Sequence, residues 1–294
     1  MVRKRFSVGR IVAWAVVFIA MVVTIFPVIW MVRTALTPAT AIFTDTISLW
    51  PAHATLINFK RVLGLTTIEE ARAAGGSGAH LNFLLYMRNS LIYSVVIVAC
   101  QTASVAMAAY ALARLRFRGR NVIFGVFVSA LMVPPIFTLL PNFTLVKQLG
   151  WLNTFPGLVA PSLFMAPFGV FFLRQFFLSI PREVEEAAIL DGAGPWRVFL
   201  HVTLPMSVGP IMTLVMTTSV WTWKDFLWPL LVGPGEGTRT LTAALAIFLQ
   251  QSPNASPDWT GLMAGSTLTV LPPLVLLVIF GRRMVNAITF TGVK

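Results

Sequence analysis

The chain has 294 residues, of which 57% are hydrophobic and only 11% are charged. This apolar content exceeds what the core of a soluble domain of this length needs, so the composition excludes an ordinary soluble protein and predicts one embedded in a lipid bilayer. The net charge of +12 is carried mainly by short loops beside apolar segments. We interpret it as a marker of topology and as attraction to anionic lipid, and not as a nucleic-acid binding surface.

Six apolar segments are long enough to cross the roughly 30 Å of hydrocarbon as helices, since about 20 residues suffice. We therefore predict an all-α, polytopic membrane protein with a single transmembrane domain over residues 1–294. A cytoplasmic loop at residues 179–205 is expected to carry a helix between the fourth and fifth spans. The predicted spans cover residues 11–32, 89–113, 121–141, 155–173, 206–231 and 259–281.

The distribution of Lys and Arg predicts the orientation of these spans. Six crossings place both termini on one side, and 14 of the 22 basic residues lie in the termini and loops of that side. Because cytoplasmic loops carry an excess of Lys and Arg, both termini are predicted to be cytoplasmic. The first span follows Arg3, Lys4 and Arg5 as a signal sequence would, but it is longer than a secretory apolar region and lacks an A-x-A pattern. We expect it to remain as an uncleaved anchor.

Prolines interrupt the third predicted span. Pro134-Pro135 and Pro141 each remove a backbone donor and disfavour a continuous helix. The carbonyl groups freed at such breaks must be satisfied by neighbouring helices or by water in a cavity. A hinge or a pathway lining and a simple packed kink both remain open as interpretations of these residues.

Signatures of enzymes are missing from the chain. It has no H-E-x-x-H, and His53, His80 and His201 are far apart in sequence, which argues against a zinc site. Ser77 does not fit G-x-S-x-G, and no G-x-x-x-x-G-K-[ST] phosphate loop exists. We therefore expect no catalytic residue, no metal site and no bound cofactor in this chain. Lys224 and Asp225 are the only clear ionisable pair within a span, so the energy for any transport should come from another subunit.

The loop at residues 179–205 has an unusual charge for a cytoplasmic segment. Four of the ten acidic residues of the chain lie within it: Glu183, Glu185, Glu186 and Asp191. Pro181 suits the first turn of a helix, the glutamates lie near its positive end, and Gly192 or Gly194 can stop it in a left-handed cap. Pro195 can begin a second short helix, which Pro205 should end. A docking site for another protein and a solvated surface loop are both compatible with this pattern.

A motif in the same loop resembles a known family. Glu186-Ala187-Ala188, followed at fixed spacing by Gly192 and then by Val202-Thr203-Leu204-Pro205, is similar to the E-A-A loop of membrane subunits of binding-protein-dependent ABC importers, with Val202 where Ile is usual. The likeness extends to Asn89-Ser90, to the segment 108–114, to Gly150-Trp151-Leu152-Asn153-Thr154 and to the tail Gly292-Val293-Lys294. Together these resemble the six-helix, maltose-transporter-type subunit of carbohydrate importers. Residues 66–81 are the least typical region.

The resemblance implies a mechanism and a set of coupling residues. The loop would be a coupling helix that fits into a cleft of an ATPase subunit, where Glu186 would accept a hydrogen bond from a basic residue and Gly192 would provide the turn. The tail Gly292-Val293-Lys294 would also reach the ATPases, although a frayed terminus is an alternative. The implied ATPase-coupling residues are Glu183, Glu186, Ala187, Ala188, Asp191, Gly192, Val202, Leu204 and Pro205.

The same resemblance implies the partners and the location. A second homologous permease subunit, two ATPase subunits that bind ATP and Mg²⁺, and an extracytoplasmic solute-binding protein would complete an importer of a sugar or related polar solute. The chain itself would be a transport subunit in a bacterial or archaeal cytoplasmic membrane. An ion-coupled secondary transporter of the same topology and a structural membrane protein remain as alternatives. Dependence of uptake on an ATPase would distinguish an ABC importer from an ion-coupled transporter. A structural protein would tolerate loss of the coupling loop without loss of solute flux.

A candidate substrate pathway lies in the fifth span. Trp221, Asp225 and Trp228 are four and three residues apart, so in a continuous helix they share one face, while Lys224 lies about 100° around from Asp225. Aromatic faces beside a carboxylate can hold sugar rings, but Trp is also common at the membrane interface, so anchoring remains an alternative. The run from Trp223 to Phe226 resembles a W-N-E-F segment of the family with Lys in place of Asn.

Overall fold

The computed structural model describes residues 8–43, 48–76, 81–250 and 257–289. Within these ranges the chain folds into helices and contains no β-strand, which confirms the predicted all-α class. A 3-10 turn covers Ala39–Ala41, another covers Ala160–Ser162, and a π-helical turn covers Phe199–Thr203. The α-helices, in chain order, are α1 (Val8–Leu36), α2 (Ile57–Val62), α3 (Ile68–Ala73), α4 (Phe83–Arg114), α5 (Arg120–Ala130), α6 (Pro135–Gln148), α7 (Phe155–Val159), α8 (Pro167–Ser179), α9 (Arg182–Leu190), α10 (Pro195–Val198), α11 (Leu204–Met206), α12 (Val208–Trp223), α13 (Leu227–Val232), α14 (Leu241–Gln250) and α15 (Trp259–Thr289).

Three helical segments are long and apolar enough to cross a membrane alone. They cover Val12–Leu36, Phe83–Arg114 and Trp259–Gly281. Three further pairs of helices reach that length only together: α5 with α6, the segment 155–162 with α8, and the segment 195–206 with α12, bent by 99°, 45° and 77° respectively. The described residues thus provide three membrane-crossing helices, or up to six if each bent pair is one span.

The third predicted span is not one helix. α5 ends at Ala130, and α6 begins at Pro135 after a bend of 99°. Pro134 adopts extended angles (φ −62°, ψ 136°), because a residue that precedes a proline is pushed away from helical geometry. The expected break at Pro134-Pro135 is therefore confirmed. The expectation for Pro141 is wrong, since α6 continues through it and loses only the hydrogen bond that its missing N–H would have made.

The fifth predicted span, residues 206–231, also consists of two helices. α12 ends at Trp223 and α13 begins at Leu227, so residues 224–226 form a break. Before this span, the helical segment that begins at Pro195 ends at Met206, so the expected end at Pro205 is wrong by one residue. The turn at Ser207 gives the bend of 77°.

The chain divides into two compact units, the first formed by residues 1–84 and 244–270. Its centre is a buried ion pair between Arg61 of α2 and Asp258, which precedes α15. The Asn58 side chain donates hydrogen bonds to the carbonyl oxygens of Ala35 (2.9 Å) and Thr37 (2.8 Å) and so fastens α2 to the end of α1. These buried polar contacts hold the short helices of the segment between α1 and α4 in place.

The second unit contains residues 85–243 and 271–294. One apolar cluster joins α4 to α8, with Val105, Ala109, Val170 and Leu173 fully buried. A second cluster joins α4, α6, α7 and α13. Gly169 permits the close contact of α8 with α4, because a Cβ atom there would lie 2.9 Å from a methyl group of Val105. This unit contains both regions that the sequence singled out for function.

Candidate functional site

The acidic loop forms the expected surface helix. α9 begins directly after Pro181, with Glu183 and Glu185 in its first turn, where carboxylates interact favourably with the positive end of the helix. It ends at Leu190, and Gly192, two residues further on, adopts φ +84° and donates its N–H to the carbonyl oxygen of Ile189 (2.9 Å). The predicted left-handed cap at Gly192 is confirmed.

A buried ion pair holds α9 against the membrane-embedded part of the unit. Glu185 is buried, and its Oε1 lies 3.1 Å from Nε of Arg114, the last residue of α4. The Thr203 hydroxyl donates to the same carboxylate oxygen at 3.4 Å. Arg114 also donates to the carbonyl oxygens of Phe177 and, at 2.6 Å, Ile180. One guanidinium group therefore joins α4, the end of α8 and the start of α9, and the Glu185 carboxylate extends these contacts to the π-helical turn.

The neighbouring carboxylate has the opposite orientation. Glu186, Ala187, Asp191 and Gly192 are exposed on the surface of the loop. Leu190 is 88% exposed and gives this acidic surface an apolar centre. Of the remaining predicted coupling residues, Glu183 and Pro205 are exposed, while Ala188, Val202 and Leu204 are partly buried.

Aromatic contacts hold the second half of the loop against α4. Pro195 begins α10 as predicted, and its carbonyl oxygen accepts a hydrogen bond from the Tyr110 hydroxyl (3.0 Å). The ring of Phe199 packs against Tyr110 and Trp196, with centroid distances of 5.0 and 5.3 Å. The loop is thus a packed part of the unit that presents one outer surface.

A cavity of about 930 Å³ opens beside the break between α12 and α13. α4 contributes Tyr93 and Gln101 to its wall, and α12 contributes Thr218 and Trp221. Lys224 and Asp225, from the break itself, complete a lining that mixes hydroxyl, amide, aromatic and charged groups. Such a wall can bind a polar solute through hydrogen bonds and ring stacking.

Asp225 holds the broken helix together. Its carboxylate accepts a hydrogen bond from the Tyr93 hydroxyl (2.7 Å). Its own carbonyl oxygen accepts from the Thr242 hydroxyl (2.8 Å). These bonds satisfy backbone and side-chain groups that the break would otherwise leave unpaired, as is required inside a membrane.

The two tryptophans of the predicted pathway have different environments. Trp221 is 65% exposed at the cavity, and Nζ of Lys224 lies 4.0 Å from its ring centroid. Trp228 is buried in the second apolar cluster, which joins α4, α6, α7 and α13, and its Nε1 donates to the carbonyl oxygen of Leu158 (2.9 Å). The predicted common face of Trp221, Asp225 and Trp228 is wrong, because the helix is interrupted at residues 224–226 and does not continue with the same phase.

The family follows from a match over residues 102–289, which include the loop that carries α9 and the break between α12 and α13. They match the model of the family described as binding-protein-dependent transport system inner membrane component. The chain belongs to this family. It is therefore a multi-pass inner-membrane permease subunit of an ABC transporter, a transport subunit that works with a partner permease, ATPases and a binding protein.

Individual relatives agree over nearly the whole permease. It is 31% identical to the arabinooligosaccharides transport system permease protein AraQ of Halalkalibacterium halodurans, over 94% of this chain and 93% of that protein. It is 28% identical to the sn-glycerol-3-phosphate transport system permease protein UgpE of Brucella suis, over 99% of each. A chain from the crystal structure of a bacterial ABC transporter involved in the import of the acidic polysaccharide alginate has the same fold, with a TM-score of 0.78, 19% identity, and coverage of 95% of the permease and 99% of that chain.

Sequence reasoning missed the roles of two residues in the loop. The sequence does not distinguish Glu185 from its acidic neighbours, although its buried carboxylate pairs with Arg114. The signal for this pair was the placement of Arg114 at the end of an alanine-rich span, but its partner is 71 positions away in sequence. Leu190 was not distinguished from other apolar residues. The tail Gly292-Val293-Lys294 lies outside the described residues.

Proposed function

We propose that this permease forms half of the transmembrane pathway for a sugar or a related polar solute, driven by ATP hydrolysis on partner subunits. The substrates named for its relatives support the solute class, since arabinooligosaccharides and sn-glycerol 3-phosphate are small and rich in oxygen. The mixed polar and aromatic wall of the cavity beside α12 is suited to the same chemistry. The second half of the pathway would come from a homologous permease.

The loop from α9 to α11 is the proposed contact for an ATPase. This proposal rests on the different environments of two adjacent carboxylates. Glu185 is buried against Arg114, while Glu186 is exposed. Glu186 would accept a charge-assisted hydrogen bond from a basic residue of the ATPase, and Leu190 would enter an apolar pocket beside it. Gly192 supplies the turn, and Val202, Leu204 and Pro205 join the loop to α12.

The contacts of Arg114 suggest how movement of the ATPases would reach the pathway. Two ATPase subunits, which bind ATP and Mg²⁺, would sit beneath the two permeases, one on each coupling loop. Their closure would displace α9, and Arg114 would transmit that displacement to α4 and α8 as a rigid-body motion. α4 carries Tyr93 and Gln101 of the cavity, so the loop and the cavity are connected through one helix.

The proposed topology has six spans with both termini cytoplasmic, which places the coupling loop in the cytoplasm and the segments 33–88 and 233–258 outside. The solute-binding protein would dock on that outer side. The tail at residues 292–294 would lie close to the ATPases. The family excludes uptake by this chain alone with an ion gradient as its main function.

The first test identifies the partners directly. We would tag the permease, purify it in mild detergent from its own membrane, and identify the co-purifying proteins while measuring ATP hydrolysis. We expect an ATPase and a second permease, and hydrolysis that rises when the cognate binding protein is added. Purification of the permease alone, together with ion-driven uptake in vesicles, would overturn the proposal.

The second test reverses one charge on the loop. Glu186→Lys should leave the permease in the membrane but reduce binding-protein-stimulated ATP hydrolysis at least tenfold, because it places a cation against the basic ATPase residue. Glu236→Lys is the matched control, since Glu236 is also exposed but belongs to the segment proposed to lie outside. Normal stimulated hydrolysis and transport in Glu186→Lys would contradict the role assigned to this carboxylate.

A further inference from the structure

Lys224 is a cation within the cavity of the fifth span. It lies in the break between α12 and α13 and is exposed to the cavity. Its Nζ lies 4.0 Å from the ring centroid of Trp221. In the part of the chain that the structure describes, no carboxylate forms an ion pair with it. The ammonium group therefore rests on an aromatic face, a contact that a stronger anionic partner can replace.

The adjacent carboxylate is already committed to another partner. Asp225 accepts a hydrogen bond from the Tyr93 hydroxyl (2.7 Å), which holds it at the break. Asp225 keeps its negative charge but is fixed at the break by Tyr93, whereas Lys224 has no carboxylate partner among the described residues and can bind an anionic group of a solute. An ionisable side chain in a membrane-spanning segment is energetically costly, so its presence there usually marks a functional site.

The rest of the wall specifies the kind of solute that would accompany an anionic group. Gln101, Ser162 and Thr218 provide amide and hydroxyl groups for hydrogen bonds with a polyhydroxylated body. Trp221 and Phe226 provide apolar faces on which a sugar ring can stack. The volume of about 930 Å³ leaves room for a small oligosaccharide or a sugar derivative.

We propose that Lys224 makes this cavity selective for solutes that carry an anionic group, a carboxylate or a phosphate, on a polyhydroxylated body. The proposal rests on the transport function proposed above and adds the charge of the substrate. The anionic group binds the ammonium in a charge-assisted contact and displaces it from the Trp221 ring. A lysine that only anchored the helix at the membrane surface would not change the potential inside the cavity.

The potential can be measured with charged thiol reagents. In a Cys100→Ala background, which removes the single native cysteine, Thr222→Cys places a thiol in the cavity wall. The rates of its reaction with anionic sulfonatoethyl and cationic trimethylammonioethyl methanethiosulfonate are compared in membrane vesicles that contain the complete transporter. With Lys224→Gln, we expect the anionic-to-cationic rate ratio to fall by about fivefold, because a unit charge nearby acts oppositely on the two reagents.

Two controls make the result specific. Lys224→Arg should keep the original rate ratio, because it preserves the charge. Ser179→Cys, an exposed position at the end of α8 and away from the cavity, should show the same ratio whether or not the Lys224→Gln substitution is present. Equal ratios at Thr222→Cys in the native and Lys224→Gln backgrounds would overturn the proposal. An equal fall of the ratio in the Lys224→Arg and Lys224→Gln backgrounds would also overturn it.

Protection experiments distinguish the two anionic groups. Galacturonate, sn-glycerol 3-phosphate and galactose are added in turn before the reagent. Stronger protection of Thr222→Cys by galacturonate indicates a carboxylate substrate, and stronger protection by sn-glycerol 3-phosphate indicates a phosphate. Protection by galactose equal to that by both anions, or protection by none of them, would overturn the assignment. The identity of the co-purifying subunits tests the transport function separately, so failure of one conclusion does not imply failure of the other.

Discussion

The acidic loop that carries α9 and the break between α12 and α13 each contain two adjacent charged residues with different environments. In the loop, the adjacent residues Glu185 and Glu186 face opposite ways: the first is buried against Arg114 and the second is exposed. At the break, Asp225 is tied to Tyr93 and Lys224 faces the cavity. In each pair one charged side chain is held by contacts within the fold, while its neighbour is exposed.

The difference between the two regions lies in the type of anchor. The loop is held by a buried ion pair, which is costly to break because one charge would remain buried without its partner. The break is held by a hydrogen bond from a neutral hydroxyl group to a carboxylate. The loop should therefore be the more sensitive of the two to the loss of its anchoring residue, and graded substitutions can test that order.

Removing the loop anchor should have the largest effect. Arg114→Leu leaves the Glu185 carboxylate buried with only the Thr203 hydroxyl, and the loss of one partner of a buried pair costs about 3–5 kcal/mol. We expect a lower midpoint of thermal unfolding in detergent and faster tryptic cleavage at Arg182, which begins α9.

The control and the double variant separate charge from packing. Arg116→Leu alters an exposed residue two positions away and should change neither the unfolding midpoint nor the cleavage rate. Replacing both partners, as Arg114→Leu with Glu185→Leu, should recover much of the stability, because no buried charge is then left alone. If Arg114→Leu alone were as stable as the native permease, the ion pair would not be the anchor of the loop.

Local chemistry made most of the loop predictable from sequence. Pro181, Gly192 and Pro195 fix the start, the cap and the second helix through backbone angles that depend only on residue type. The inward turn of Glu185 was not predictable, because it depends on Arg114 meeting α9 through tertiary packing. Sequence spacing can identify a charged loop but cannot tell which of two adjacent carboxylates faces inward.

The prediction of one continuous helix over residues 206–231 was wrong for a related reason. Spacing arguments assume one continuous helix, and residues 224–226 contain neither proline nor glycine to signal an interruption. The break is stabilised by Tyr93 and Thr242, which are distant in sequence. Trp228 was therefore assigned to the same face as Trp221, although it is a buried packing residue.

Weakening the anchor at the break should have an intermediate effect. Tyr93→Phe keeps the buried ring but removes the 2.7 Å hydrogen bond to Asp225, and a bond to a charged group contributes about 1.5–3 kcal/mol. We expect a lower unfolding midpoint and altered reaction rates at Thr222→Cys, since Asp225 would be less constrained. Tyr86→Phe is the matched control, because Tyr86 is equally buried but its hydroxyl meets Arg239 only at 3.4 Å. An equal loss in both variants would assign the effect to the missing hydroxyl in general and not to the bond with Asp225.

The smallest effect should come from the cap of α9, which sets the direction of the exposed surface without anchoring it. Gly192 has φ +84° and open space around its Cα, so Gly192→Ala should cost about 1 kcal/mol through backbone strain alone. Gly194 has the same open space but φ −72°, so Gly194→Ala introduces no left-handed strain and should have a smaller effect. If Gly192→Ala lowers stimulated ATP hydrolysis severalfold with only a small loss of stability, while Gly194→Ala changes neither quantity, the cap acts on docking geometry. Equal effects of the two substitutions would mean that the left-handed turn does not direct the surface carried by Glu186.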